Sequence, residues 1–157
     1  KFFNVFGPNE YHKGDMKSLV VKAYYQIIET GKVKLFKSYR NEYADGEQVR
    51  DFVYVKDCTD VLWWLLENGN VNGIFNLGAG KARSWNDLAK AIFSALDRTQ
   101  NIEYIEMPEN IRNAYQYHTQ ATMTKLQAAG CPVHFRTLEE SVKEYVQNYL
   151  HPELRYL

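Results

Sequence analysis

Two polar side chains lie near the ends of predicted strands, and their chemistry suits the binding of a polar ligand. Asn4 belongs to an apolar strand that a Gly-Pro turn ends, and its amide offers one acceptor and two donors to hydroxyl or carbonyl groups. Arg50 precedes another strand, and a guanidinium can bind a phosphate through two parallel hydrogen bonds. In open α/β sheets the ligand crevice lies beyond the carboxyl ends of the strands. The pattern indicates a binding site; the alternatives are an ordinary strand end for Asn4 and a surface ion pair for Arg50.

Two aspartates follow Arg50 and offer support to the same segment. Asp51 is adjacent in sequence and is a candidate partner that holds the guanidinium in place. Asp57 begins the next predicted helix, where its carboxylate can accept a hydrogen bond from the first turn. We therefore predict an Arg50–Asp51 pair and a capping role for Asp57.

A glycine pair after another predicted strand resembles part of a dinucleotide-binding loop. Residues 78–80 read Gly-Ala-Gly and precede a helix that Ser84 caps, but Arg83 stands where such a loop has its third glycine. The pattern therefore favours a tight turn from strand to helix.

Several catalytic devices are absent from the sequence. It contains no Tyr-x-x-x-Lys, no Gly-x-Ser-x-Gly and no phosphate-binding P-loop. Cys58 and Cys131 form no Cys-x-x-Cys pattern, so a zinc site is not expected and the simple interpretation is a reduced, cytoplasmic protein. No metal site is predicted either from the four histidines, which lack metal-ligand spacing: His12, His118, His134 and His151.

Size and charge exclude some classes of protein. The 157 residues correspond to one domain, and 19 Lys and Arg balance 19 Asp and Glu. A nucleic-acid partner is not expected, because such proteins need an excess of basic side chains to meet the phosphates. No stretch approaches the ~20 apolar residues of a membrane span, and no signal peptide is visible. The chain opens inside a predicted strand without an initiator Met, so we expect a segment upstream of Lys1.

Hydrophobic periodicity and turn residues predict alternating strands and helices. The predicted strands are 1–6, 33–36, 51–55, 73–77 and 101–107. The predicted helices are 16–30, 57–67, one that starts after Ser84, 122–129 and 138–150, with loops at 9–15, 38–48 and 108–118. Capping boxes are expected at Ser84 with Asp87 and at Thr137 with Glu140. Such alternation favours a layered α/β fold.

Three motifs together resemble the extended short-chain dehydrogenase/reductases, the family of NAD-dependent nucleotide-sugar epimerases and dehydratases. The motifs are Phe-Asn-Val-Phe-Gly-Pro at 3–8, Arg-Asp-Phe-Val-Tyr-Val-Lys-Asp at 50–57 and Phe-Asn-Leu-Gly-Ala-Gly at 75–80. The resemblance implies that residues 1–157 are the C-terminal part of a Rossmann-type enzyme. This part would hold the last strands of the parallel sheet, near 2–6 and 74–77, and a small α/β substrate domain. The N-terminal NADP-binding half, with its glycine loop and Tyr-x-x-x-Lys, would be absent, which would leave strand edges and apolar faces exposed.

A narrower resemblance is to those epimerases of the family that act on an ADP-linked heptose, a lipopolysaccharide precursor. It is carried by residues 7–16, 35–38, 74–78, 115–116 and 119–121. It implies an NADP-dependent enzyme, a homo-oligomer when complete, which removes a hydride from C6 and returns it to the other face. The chain alone would be inactive. The alternatives are an epimerase or dehydratase for UDP- or dTDP-hexoses, and a non-catalytic nucleotide-sugar-binding or assembly domain.

The resemblance also assigns roles to individual residues. Lys13 would be the second acid/base group and a cofactor contact, with its pKa lowered by burial or by a cation such as His12, Lys22 or Arg50; its alternative is an exposed loop lysine. Val5 would offer backbone to the cofactor. The substrate contacts would be Asn4, Asp15, Lys22, Phe36, Lys37, Ser38, Tyr39, Arg50 and Tyr115. Within this set Arg50 would bind the diphosphate and Phe36 would stack on adenine. Asp15 and Lys22 stand where the family more often has Ser and His.

Overall fold

The computed structural model describes residues 1–153 and confirms an α/β fold. Its strands are β1 (Asn4–Phe6), β2 (Val33–Phe36), β3 (Val49–Tyr54), β4 (Ala82–Ser84) and β5 (Ile102–Ile105). Its helices are α1 (Leu19–Thr30), α2 (Val55–Glu67), α3 (Trp85–Ala95), α4 (Glu109–Arg112), α5 (Thr124–Ala128) and α6 (Leu138–Tyr145). A 3₁₀ segment, Tyr11–Met16, precedes α1, and a π-helical segment, Val146–Leu150, continues α6.

The strands form two small sheets. In the first, β1 pairs with β3 in parallel and β3 pairs with β4 in antiparallel orientation. In the second, β2 and β5 run parallel, with Phe36 opposite Ile105. The parallel pairs match the expected α/β class, whereas the antiparallel β4 was not predicted, because three residues are too few to show a strand period.

Residues 73–77 differ from the predicted strand. They make one parallel bridge, between Phe2 and Leu77, in which the Leu77 amide donates to the Lys1 carbonyl at 2.8 Å. The segments 2–6 and 74–77 therefore do lie side by side. Regular pairing does not extend beyond this bridge, and Ile74 is 81% exposed.

Helix boundaries follow tertiary contacts as well as local signals. Both capping boxes are confirmed: the Ser84 hydroxyl accepts from the Asp87 amide at 3.1 Å, and Thr137 accepts from Glu140 at 3.2 Å. The predicted capping role of Asp57 is wrong. Helix α2 begins two residues earlier, and the Asp57 carboxylate accepts from the backbone and guanidinium of Arg136 instead.

Two apolar clusters build the core. The larger packs α1, α3 and α6 against β1, β2 and β3, and includes the fully buried Ile27, Phe93 and Tyr145. The smaller lies around Val53 and Leu77 and includes the buried, free thiol of Cys58. The outer surface of α2 stays apolar, since Trp63 is 63% and Leu66 is 76% exposed. Within residues 1–153, no helix has both the length and the apolar character needed to cross a membrane.

Candidate functional site

A cavity of 500 Å³ lies between β1, the start of α1 and the start of α3. Asn4, Val5 and Lys22 line it, although Asn4 and Lys22 are 18 residues apart in the sequence. Strand β1 delivers the first two, and Lys22 projects from the first turns of α1. The fold thus brings together three residues that the sequence assigned to cofactor or substrate.

A second cavity of 390 Å³ adjoins the first. Phe36, at the end of β2, and Tyr115 line it, with their rings 6.3 Å apart in an edge-to-face arrangement. Leu19, Lys22 and Trp85 line both cavities, so we treat the two as one cleft with a β1 half and an aromatic half. The aromatic half presents flat apolar surfaces of the kind on which a nucleobase stacks.

The charge of the cleft has one sign. Its lysines are Lys17, Lys22 and Lys34, and none of the residues that line it is an Asp or Glu. None of these three ammonium groups takes part in an ion pair among residues 1–153. A cleft lined by one sign of charge focuses the field and attracts an anion. Sequence reasoning missed Lys17 and Lys34, since the chain as a whole has no net charge.

Trp85 stands between the two halves of the cleft and was also missed. It is the first residue of α3, placed by the Ser84 cap. Its indole nitrogen donates to the Tyr115 hydroxyl at 2.9 Å, and its ring lies 5.1 Å from that of Phe52. The available signal was its position directly after a capping residue, at the point where a strand gives way to a helix.

Arg50 lies against the same rings. Its guanidinium carbon is 5.6 Å from the ring centre of Trp85 and 5.2 Å from that of Tyr115, and the side chain is buried. Burial lowers the pKa of Arg50 and raises that of Tyr115. One guanidinium nitrogen donates to the Val49 carbonyl at 2.9 Å, and no ion pair of the described chain includes Arg50. A buried cation without a carboxylate partner favours the approach of an anion.

The predicted Arg50–Asp51 pair is wrong. The Asp51 carboxylate is fully buried and accepts from three backbone amides: Ala79 at 2.6 Å, Gly80 at 3.0 Å and Ala121 at 2.9 Å. Successive strand residues point to opposite faces, so Asp51 cannot follow Arg50 to the same side. Burial raises the pKa of Asp51 above its ordinary value, although the three amide donors act in the opposite direction.

The same contacts decide the role of the glycine pair at 78–80. Two of its amides are bound to Asp51, so they are not free to hold the diphosphate of a dinucleotide. A Cβ added at Gly78 would lie 2.8 Å from the Asp51 carboxyl carbon. The structure therefore supports the tight-turn interpretation. The Asp51 carboxylate occupies the place that a bound phosphate would take in a dinucleotide-binding loop.

Lys13 and Asp15 lie on the exposed 3₁₀ segment between β1 and α1. The Lys22 ammonium donates to the Asp15 carbonyl, which ties this segment to the wall of the cleft. Neither Lys13 nor Asp15 lines the cleft directly, and the neighbouring Met16, which does, is 84% exposed. The segment therefore borders the β1 half, and the role of Lys13 stays a prediction.

The stretch Lys37–Tyr39 lies outside the lining of the cleft. Lys37 pairs with Glu106 at 2.6 Å, and the Tyr39 hydroxyl donates to the same carboxylate. The backbone amide of Ser38 donates to the Asp45 carboxylate at 2.7 Å, and the Arg112 guanidinium stacks 3.8 Å from the Tyr39 ring centre. These groups form a polar cluster beyond Phe36, and their predicted nucleotide contacts stay predictions.

The cleft offers cations, aromatic rings and an amide to a ligand. Among the residues that the structure describes, no group of three His, Cys, Asp or Glu side chains could hold a metal ion. Such a cleft can bind an anionic ligand that also carries a flat apolar group and hydroxyls.

Comparison with known proteins gives consistent results. Residues 1–78 match the model of the NAD dependent epimerase/dehydratase family. The chain is 62% identical over 150 residues to an ADP-L-glycero-D-manno-heptose-6-epimerase of Nitratidesulfovibrio vulgaris, with 96% of this chain and 46% of the relative covered. It is 51% identical over 163 residues to the enzyme of that name from Fusobacterium nucleatum, covering 100% of this chain and 49% of the relative.

A solved structure shows the same arrangement of elements. The crystal structure of the ADP-L-glycero-D-manno-heptose-6-epimerase of Helicobacter pylori matches with a TM-score of 0.74 at 26% identity, over 100% of this chain and 44% of that one. The chain thus spans about half the length of the relatives that it matches.

Proposed function

Because the chain belongs to the NAD dependent epimerase/dehydratase family, we propose that it is the substrate-binding part of an ADP-L-glycero-D-manno-heptose 6-epimerase. The observation that carries this proposal is the cleft, lined by three lysines, three aromatic side chains of its aromatic half and no carboxylate. An ADP-sugar has the matching chemistry: a flat base, a doubly charged diphosphate and a sugar rich in hydroxyls.

The two halves of the cleft suggest an orientation for this substrate. The adenine stacks on Phe36, with the Tyr115 ring beside it, in the aromatic half, where apolar surface predominates. The diphosphate lies near Lys22, which lines both halves, and near the Arg50 guanidinium, which lies against the Trp85 and Tyr115 rings. The heptose then occupies the β1 half, where the Asn4 amide can hold its hydroxyls.

Epimerisation at C6 needs acid/base groups on both faces of the carbon, because the hydride leaves one face and returns to the other. We assign Lys13 to one face and a group outside this chain to the other. The mobile proton is held at the Lys13 Nζ, on a segment that borders the sugar end of the cleft.

A nicotinamide dinucleotide, NADP in this proposal, would supply the hydride transfer when bound. Val5 lines the sugar end of the cleft and can offer backbone groups to it. The turn at 78–80 does not fit its diphosphate, since Asp51 holds those amides. The glycine loop for the diphosphate would therefore belong to the other half of an enzyme as long as the relatives.

The proposal extends to the setting of the complete enzyme. It would be a cytoplasmic homo-oligomer in the synthesis of the lipopolysaccharide core, without nucleic-acid or membrane partners. Lys37, Ser38 and Tyr39 would bind the outer part of the nucleotide, and Asp15 would be kept near the substrate by its carbonyl contact with Lys22. The chain alone would bind ADP without turnover.

The test is turnover by the full-length protein with bound cofactor. We expect epimerisation of ADP-glycero-manno-heptose, which nuclear magnetic resonance of C6 would detect. We expect no turnover of UDP- or dTDP-hexoses. Lys13→Ala should lower kcat by about 10²- to 10⁴-fold, whereas Lys90→Ala, an exposed lysine outside the cleft, should not. Turnover of a UDP- or dTDP-hexose would indicate a sister enzyme, and full activity of Lys13→Ala would remove the proposed base.

A further inference from the structure

Glu10 is a carboxylate buried to 2% exposure between three parts of the chain. It accepts hydrogen bonds from the Ser18 backbone amide at 2.6 Å, from the Ser18 hydroxyl at 2.8 Å and from the Gly7 amide at 3.4 Å. The Tyr145 hydroxyl on α6 donates to it at 3.1 Å. A carboxylate with four donors at such burial is held in one orientation.

The donors lie at both ends of the segment that carries Lys13. Gly7 follows directly after β1, and Ser18 is the residue from which α1 starts. Glu10 itself precedes the 3₁₀ segment, and its carbonyl accepts from the Lys13 amide at 3.1 Å. One side chain therefore closes the loop 11–17 at its base and links it to the strand that carries Asn4.

The loop above this base has few other supports. Lys13, Gly14 and Asp15 are exposed, and none of the residues of the 3₁₀ segment is buried. Tyr11 packs against the larger apolar cluster, and the Lys22 ammonium donates to the Asp15 carbonyl. Gly14 interrupts the segment with a kink, at φ 52° and ψ −125°. The position of Lys13 relative to the cleft therefore depends on these two contacts and on the two ends of the loop, which Glu10 joins.

We infer that Glu10 is a positioning residue, which holds Lys13 at the sugar end of the cleft by fixing both ends of its loop. This inference rests on the proposed function, because Lys13 matters only if it serves as an acid/base group. Glu10 then contributes to kcat without touching the substrate. A displacement of about 1 Å can cost on the order of a hundredfold in rate.

The test is a double-mutant cycle in the full-length protein. Glu10→Gln keeps the shape but turns an amide nitrogen toward one of the donors. We expect kcat to fall at least about tenfold and KM for the ADP-sugar to change less than about threefold. In the Lys13→Ala background the same substitution should have no further effect on kcat, because Glu10 acts through Lys13.

A matched control separates positioning from general loss of stability. Thr137→Ala removes the hydroxyl that caps α6, far in sequence from the loop. It should lower the melting temperature while kcat stays within about twofold of wild type. An equal loss of kcat in Thr137→Ala would overturn the positioning role.

Hydrogen exchange on the 157-residue chain provides an independent measurement. Glu10→Gln should accelerate exchange of the amides at 13–18 while those of α3 keep their protection. If Glu10→Gln fails to fold, Ser18→Ala removes one donor only and should show the same pattern at smaller amplitude. Wild-type kcat and unchanged exchange in the variant would refute the role of Glu10. Loss of activity in Lys13→Ala would then still support the proposed function.

Discussion

The indole nitrogen of Trp85 donates a 2.9 Å hydrogen bond to the hydroxyl of Tyr115, two residues that are 30 positions apart in the sequence. This bond joins the start of α3 to the loop that follows α4. It holds the Trp85 ring, at the shared wall, against the Tyr115 ring of the aromatic half, with the Arg50 guanidinium beside both. Nucleotide binding should therefore respond to each member of this group.

Trp85 should contribute to ADP binding through its ring and, separately, through its hydrogen bond. We expect Trp85→Ala to raise the Kd of the chain for ADP about three- to tenfold, because stacking surface is lost. Trp85→Phe keeps a ring and should lose less. Titration calorimetry measures both, and equal affinities in all three proteins would contradict a role of Trp85 in the cleft.

Arg50 should be sensitive even to a conservative change. Arg50→Lys keeps the charge but removes the planar group that two rings support, so we expect about tenfold weaker ADP binding. Arg83 is its cross-strand neighbour in the β3–β4 pair and binds Asp87 and Glu139 instead. Arg83→Lys is therefore the matched control and should leave Kd unchanged; a similar loss in both variants would point to a general effect of the strand.

Gly78 should not tolerate a side chain. An added Cβ would lie 2.6 Å from the Cβ of Ala121 and 2.8 Å from the Asp51 carboxyl carbon, both buried. We expect Gly78→Ala to lower the free energy of unfolding by about 1–3 kcal/mol. Gly69→Ala is the control, since apart from its chain neighbours no group lies within 4 Å of its added Cβ. Urea denaturation of the two variants should separate them, and equal stability would disprove the close approach at Gly78.

The pH dependence of stability should include a contribution from Asp87. Burial acts to raise its pKa, but the Arg83 guanidinium and the Ser84 amide outweigh it, so the folded-state pKa lies below the ordinary 3.8. A lowered folded pKa means that the stabilisation is present above pH 3.8 and is lost as the pH falls through the folded value.

The measurement is the difference in unfolding free energy between wild type and Asp87→Asn. It should be larger at pH 5.5 than at the acid end of the transition, about pH 2.5. Asp97→Asn, on the turn after α3, serves as the control for a change of charge alone. A difference that stays constant or grows toward acid would show that Asp87 is not stabilised as a carboxylate.

Much of the fold could be predicted from local patterns. The helical period of α1 and α3 and both capping boxes follow from side chains within a few turns of one another. The predictions of a strand at 73–77 and of a helix cap at Asp57 were wrong for a common reason. Both depend on partners more than 70 residues away, Phe2 in the first case and Arg136 in the second.

The candidate site divides in the same way. Asn4, Val5, Lys22, Phe36 and Tyr115, to which the family resemblance assigned contacts, line the cleft, and their roles stay predictions. The partner of Asp51 was not predictable, since its three amide donors come from two loops that only the fold brings together.

Residue types and short-range order thus specified the elements and the family resemblance, because helix periods, caps and motifs depend on near neighbours in the chain. Only the tertiary structure decided the character of the cleft. The 19 acidic and 19 basic side chains cancel in the sequence, yet the cleft is lined by Lys17, Lys22 and Lys34 and by no carboxylate. Net charge is a sum over the chain, whereas the potential that a ligand meets depends on distance, and distances exist only in the folded molecule.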